Sequence, residues 1–184
     1  KEEIKHYAAE LSVANRKLER AALTDPLTGL ANRRYALDRL EQEWNTAVRY
    51  ARPIACMIVD IDHFKAVNDT HGHDVGDRVL QQTAQLLREN VRKSDVVCRF
   101  GGEEFLVICK DTNLQGVRTV AEHIRTKVEG TPFEVAGVTG YVKVSIGVAV
   151  RSTAAASTKL LLKAADGALY AAKARGRNRT CVAQ

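Results

Sequence analysis

The chain has 184 residues, of which 45% are hydrophobic and 5% aromatic, and its formal net charge is +6. These values predict one domain plus a short appendage, admit a polyanionic partner (nucleic acid or nucleotide phosphates), offer no base-stacking platform, and leave no apolar run near the about 18 residues of a membrane span. The four cysteines are widely spaced without a metal-pairing pattern and no secretory leader is present, which fits a reducing cytoplasm.

The chain starts at Lys1 rather than Met, which predicts a piece of a longer protein. Residues 1 to about 23 are charged and helical in pattern. Ile4, Leu11 and Leu18 recur every seven residues, with Tyr7, Ala14 and Ala21 between them. That seam suits a short parallel coiled coil; a single amphipathic helix lying on the domain is the alternative. Pro26 and Gly29 then break the helix. Asn32 is placed to cap a helix with Leu37, Leu40, Trp44 and Val48 on one face, ending near Arg52-Pro53.

Ile54 to Val59 is a continuous apolar run and reads as a buried central strand. It leads into Asp60-Ile61-Asp62, whose two acids share a face. Such acids either present oxygen ligands to Mg²⁺ or simply decorate a strand-to-helix turn. A short helical turn over 63–69 puts Phe64 and Val67 inward and Lys65 and Asn68 on a common face. A loop over 70–74 follows, and Asp74 is expected to cap a helix carrying Leu80, Ala84, Leu87 and Val91, with Asp77 in its first turn. His71 and His73 have no third soft ligand nearby and read as loop polarity. Arg92-Lys93-Ser94-Asp95 closes that helix, either as a local ion pair or as a small clamp for anion and amine.

Val96 to Cys98 and Phe105 to Ile108 predict a β-hairpin around Gly101-Gly102, with turn angles that favour glycine. Glu103 and Glu104 follow at once, on opposite faces if both lie on the strand. They are either a solvated acidic pair or part of a site. A helix with Val117, Val120, Ile124 and Val128 inward comes next. Phe133 to Val135 and Tyr141 to Val150 read as two strands, the second strictly alternating. A last helix carries Leu161, Ala165, Ala168, Leu169 and Ala172, with Gly176 as a C-cap. Its end holds Lys173, Arg175, Arg177 and Arg179, more cation than a helix terminus requires. A phosphate loop, a dinucleotide fingerprint and a nucleophile elbow are all missing from the sequence.

Taken in order, six blocks over roughly Leu23 to Arg179 resemble the GGDEF domain, the diguanylate cyclase family. They are Asp25-Pro26-Leu27-Thr28-Gly29-Leu30-Ala31-Asn32-Arg33-Arg34; Asp60-Ile61-Asp62-His63-Phe64-Lys65 with Asn68-Asp69 and Gly72-His73; Asp74-Val75-Gly76-Asp77; Gly101-Gly102-Glu103-Glu104-Phe105, the GGEEF form; Ser145-Ile146-Gly147-Val148; and Ala165-Asp166 through Tyr170-Ala171-Ala172-Lys173 to Gly176-Arg177-Asn178.

The resemblance implies a palm-like α/β (α+β) domain over 24–184, with an antiparallel-rich sheet flanked by helices, behind a helical stalk over 1–23 from an upstream sensory region. It implies condensation of two GTP into cyclic di-GMP plus two pyrophosphates across a head-to-head homodimer, also joined by the stalk. Two Mg²⁺ (or Mn²⁺) per site would sit on Asp60, Glu103 and the Ile61 carbonyl. Glu104 would be the companion catalytic acid, and Gly101 and Gly102 would let the backbone approach the nucleotide. Lys65, Lys173 and Arg177 would meet the triphosphate; Asn68 and Asp77 would read guanine, with Asp77 favouring GTP strictly. Arg92 and Asp95 match the family's RxxD inhibitory site for the product. The arginine that relatives often carry near Thr119 or His123 is missing, and Arg118 points away, so a cross-linked inhibited dimer is less supported. The implied setting is cytoplasmic, including the cytoplasmic part of a membrane-bound sensor. Two other readings remain: a non-catalytic cyclic di-GMP receptor, which an intact signature disfavours, and a nucleic-acid module, which scattered basic residues disfavour; no nucleic-acid partner is expected.

Overall fold

The structure is a computed structural model and describes residues 2–184. Helix α1 (Glu2–Leu23) leads into α2 (Arg33–Arg49), β1 (Ile54–Ile61), α3 (Phe64–His71), α4 (His73–Glu89), β2 (Val96–Arg99) and β3 (Glu104–Lys110). Then come α5 (Leu114–Gly130), the small hairpin β4 (Phe133–Val135) and β5 (Val138–Gly140), β6 (Val144–Val150), α6 (Thr158–Ala174) and β7 (Thr180–Val182). The main sheet has the order β2-β3-β1-β6-β7, antiparallel except for the parallel β6–β7 pair. This is the palm-like, antiparallel-rich arrangement that the sequence predicts.

The apolar run of β1 lies in the middle of the sheet because it is buried on both faces. Its odd-numbered residues, Ala55 to Ile61, pack with α3, α4 and α5; its even-numbered residues, Ile54 to Ile58, pack against α2 and α6. The strict alternation of β6 predicts a half-exposed strand, yet Val144 through Ala149 are all buried. Val144, Ile146 and Val148 face the α5 core, while the other face is built from the small residues Ser145, Gly147 and Ala149. A Cβ at Gly147 would come within 2.1 Å of the Ala165 carbonyl oxygen, so glycine there lets α6 lie directly on the strand.

Several boundaries differ from the sequence expectation. Tyr141 to Lys143 lie outside β6, since the chain first closes the β4–β5 hairpin through Ala136 and Gly137, both left-handed. Val48 is exposed and Ala47 takes its place in the core, because α2 ends at Arg49 and its buried stripe runs Ala36, Leu40, Glu43, Trp44, Ala47. The expected loop over 70–74 is a single residue, Gly72, between α3 and α4. Gly72 is the N-cap of α4, so Asp74 falls in the first turn and Asp77 beyond it. Asn32 does cap α2, accepting from the Tyr35 N–H at 2.9 Å. Helix α1 buries none of its residues; Ile4, Tyr7, Leu11 and Leu18 are 64–72% exposed along its seam. Among the described residues no helix is long and apolar enough to cross a membrane.

Candidate active site

Asp60 sits at the end of β1, in register with Glu104 on β3 and Ser145 on β6. Directly paired residues share a face, here the side covered by α6. From the last turn of α6, Lys173 Nζ reaches Asp60 Oδ2 at 3.0 Å. Asp60 is 5% exposed. Burial, reinforced by the Glu103 and Glu104 charges and opposed by Lys173, pushes its carboxyl up to about 6. Three acids therefore crowd one strand end with one ammonium among them. Among the described residues no three His, Cys, Asp or Glu side chains form a closed metal cage. An open set of two carboxylates and a carbonyl, completed by phosphate oxygens, is the arrangement that suits Mg²⁺; the residues present fit such a cation.

The signature segment closes as a four-residue loop over 100–103 rather than a two-residue turn. The Phe100 and Gly101 N–H groups both donate to the Glu104 carbonyl, at 2.8 and 3.1 Å. Glu103 thus lies in the loop, not on the strand, and the opposite-face expectation for Glu103 and Glu104 does not apply. Its carbonyl accepts from the Ile61 N–H at 3.3 Å, which ties the loop to the end of β1. Neither Gly101 nor Gly102 has the positive φ that a tight turn would demand. A Cβ on Gly102 would meet nothing within 4 Å. What these glycines leave is a bare backbone beside the carboxylates.

Arg99 fixes that loop from behind. Its Nε and Nη2 donate to the Gly102 carbonyl at 3.2 and 2.9 Å, and its Nη1 to Asp25 Oδ1 at 3.3 Å. Asp25 Oδ2 accepts from the Thr28 N–H and hydroxyl at 2.8 and 2.7 Å. Burial alone would raise the Asp25 carboxyl, but the Thr28 hydrogen bonds and the Arg99 cation outweigh it and hold it below the usual range. Arg33 stacks on Phe100, 4.3 Å from its ring centre. The sequence offered Asp25 only as a motif member, and its contact with Arg99 across 74 residues was not legible.

Lys65 and Asn68 lie on α3, Asp77 on α4, and all three belong to the helix pair that follows β1. Asn68 Oδ1 is buried without a hydrogen-bond partner. A Cβ on Gly76 would fall 1.8 Å from that oxygen, so Gly76, one residue before Asp77, is what admits the Asn68 side chain. Lys65 and Asp77 are exposed.

Asp62 differs from Asp60 although both sit at the same strand end. Its Oδ1 accepts from Ser145 Oγ at 2.6 Å and its Oδ2 from the Asn178 N–H at 2.9 Å. Asn178 in turn donates to Glu129 and accepts from Arg125, at 2.9 and 3.0 Å. This network clamps the turn after α6, where Gly176, Arg177 and Asn178 are all left-handed. The two acids, which the sequence places on one face, thus differ: Asp62 has both oxygens engaged and holds the Arg177 turn in place. Arg177 also lines a cleft of about 570 Å³ between α3 and Tyr141–Lys143.

Arg92 and Asp95 lie at the opposite end of the β2–β3 hairpin, about 13 Å away at the rise of a four-residue strand. They form no ion pair. Asp95 Oδ2 accepts from the Arg92 N–H at 3.0 Å and the Asp95 N–H donates to the Arg92 carbonyl at 3.0 Å, a closed turn that leaves the guanidinium free. Burial, against backbone hydrogen bonding from Arg92, raises the Asp95 carboxyl. Both residues line a cavity of about 570 Å³ with Arg39, Arg88 and Lys110. Arg39 Nε and Asp95 Oδ1 are both buried without partners there. The arginines on α2 and α4 were not foreseen, because nothing in their spacing connects them to residues 92–95.

A family model described as "Diguanylate cyclase, GGDEF domain" matches residues 22–179. The response regulator PleD of Caulobacter vibrioides is 46% identical over 159 residues, 85% of this chain and 35% of PleD. The probable diguanylate cyclase DgcC of Escherichia coli is 40% identical over 181 residues, 96% of this chain and 47% of DgcC. The crystal structure of the coiled coil and GGDEF domain of DgcB from Caulobacter crescentus in complex with c-di-GMP superposes with a TM-score of 0.92 at 33% identity, covering 98% of this chain and 96% of that one. The chain thus spans between a third and a half of the length of the two curated relatives.

Proposed function

The chain belongs to the GGDEF family, the family of the diguanylate cyclases, and from that premise we propose that it condenses two GTP into cyclic di-GMP and two pyrophosphates. The observation that carries this reading is buried Asp60 at the strand end, paired with the Lys173 ammonium and bearing the charges of Glu103 and Glu104 beside it. Such a cluster is costly unless a cation joins it.

Asp60, Glu103 and the Ile61 carbonyl would hold divalent cations, two Mg²⁺ or Mn²⁺ per site, whose part is to neutralise charge on the reacting phosphates and polarise the attacking hydroxyl. Glu104 holds the acidic field beside them. Lys173, Lys65 and Arg177 bind the triphosphate, and the Asp62 clamp keeps Arg177 aimed. The bare Gly101-Gly102 backbone lets the nucleotide approach the carboxylates. Asn68 Oδ1, buried and unpartnered, is an acceptor waiting for a guanine N–H, and Asp77 accepts from the same edge; an adenine edge would leave both unmet.

Each domain holds one GTP. The 3′-hydroxyl of one attacks the α-phosphate of the other in line, pyrophosphate leaves, and a second such step closes the ring. Two domains must therefore face each other. Residues 1–23 serve as a coiled-coil stalk that raises their effective concentration and passes on an upstream sensory signal, and residues 24–184 form the catalytic domain. The exposed seam of α1 supports this. Product returns to the cavity at Arg92 and Asp95, where one orphan acceptor and five cationic side chains suit guanine N–H groups and two phosphodiesters. A GTP substrate favours a cytoplasmic setting.

Incubation with GTP and Mg²⁺, with products separated by mass spectrometry beside Glu103→Gln, tests the reading. Cyclic di-GMP from the parent and none from the variant is the expected result. Product from neither, at protein concentrations that force dimers, would favour a receptor that uses only the Arg92 cavity.

A further inference from the structure

The Lys173–Asp60 contact has a consequence for how the site fills. Asp60 Oδ2 accepts from the Lys173 ammonium at 3.0 Å. This carboxylate is one that would hold a divalent cation. An ammonium held there repels a second cation brought to the same carboxylate. The α6 backbone offers Lys173 no retreat: Ala168, Leu169 and Ala172 beneath it are buried, and Gly147 presses the helix onto β6. The side chain itself is 35% exposed and can swing.

We propose that Lys173 is the resident counter-ion of the metal site, that its ammonium weakens divalent-cation binding at Asp60 while it stays there, and that the nucleotide triphosphate is what draws it away. The inference rests on the reading of Asp60 and Glu103 as metal ligands. Its content is a linkage. Without nucleotide, metal competes with a tethered ammonium and binds weakly. With nucleotide, Lys173 finds a new anion, Asp60 is released, and metal binds well. By reciprocity, metal tightens nucleotide by the same factor. The device keeps free cations out of a site that has no substrate, and it keeps three crowded carboxylates partly neutralised while the site is empty.

The test is Mn²⁺ titration without nucleotide, followed by calorimetry or by the paramagnetic signal of free Mn²⁺. Lys173→Met, which keeps the length of the side chain and removes the charge, should bind Mn²⁺ roughly tenfold more tightly than the parent. Lys173→Arg, which keeps a cation in place, should stay near the parent. Lys173→Gln repeats the measurement should the Met variant misfold. Equal or weaker Mn²⁺ binding in the folded Met or Gln variant would overturn the proposal. Glu103→Gln separates this from the underlying reading: if it binds Mn²⁺ as the parent does, the metal is not at this cluster and both ideas fall together. If Glu103→Gln loses Mn²⁺ and Lys173→Met gains none, only the counter-ion role fails.

Discussion

Asp60 and Asp62 stand two residues apart at the same strand end, both buried, and their surroundings are opposite. Around Asp62 every acceptor is engaged: Ser145, the Asn178 backbone, and behind them Glu129 and Arg125. Around Asp60 there is one lysine for three acids, and Asn68 Oδ1 on α3 has no partner. The contrast separates architecture from chemistry. Polar groups that hold the fold find their partners within the chain, and those that act on a ligand are left partly unmet.

The comparison is broken most severely by neutralising the open cluster. Asp60→Asn and Glu103→Gln are each expected to lower kcat by on the order of 10²–10³-fold. Neither should lower Tm, because each relieves repulsion among like charges. Assay and thermal melt on the same preparation check both halves. Asp62→Asn should behave the other way. It weakens hydrogen bonds to a buried charge, at a cost of about 2 kcal/mol, and frees the Arg177 turn. Tm should fall and KM for GTP should rise more than kcat falls; an unchanged melt would remove the clamp.

A finer cut is Gly76→Ala, which places a methyl group on Asn68 Oδ1. Loss of one guanine hydrogen bond is worth about 1 kcal/mol, so KM for GTP should rise roughly fivefold while the melt changes little. The smallest effect concerns Asp25, a member of the engaged group. Its carboxyl is held below 3.8 in the folded protein. Its ionised form therefore adds stability above that pH, and the gain disappears as pH falls through the folded value. Asp25→Asn should cost about 1 kcal/mol at neutral pH and converge with the parent in acid. Denaturant melts at two pH values measure the difference, and a gap that persists in acid would contradict the assignment.

Much of this was legible in the chain itself. The apolar run before Asp60 could only be a central strand, and the alanine-and-leucine stripe of α6 matches its buried face residue for residue. Periodicity carries such information because burial selects side chains one by one. The termini of α2 and α4 and the split of β6 from the β4–β5 hairpin were less legible. Those boundaries depend on single left-handed residues, such as Ala136 and Gly72, which periodicity does not mark.

The sequence by itself determined most of the elements, the candidate site residues and the family resemblance, since these depend on local pattern and on motifs spaced along the chain. It placed two aspartates at one strand end, and the resemblance put metal on Asp60 and gave Asp62 no role. Only the tertiary structure decided that Asp62 is engaged by Ser145 and Asn178, that Lys173 waits on Asp60, that Gly76 makes room for Asn68, and that Arg39 and Arg88 join Arg92 around one cavity. Each of these joins residues from different elements, and which polar atoms are satisfied is settled only when those elements pack.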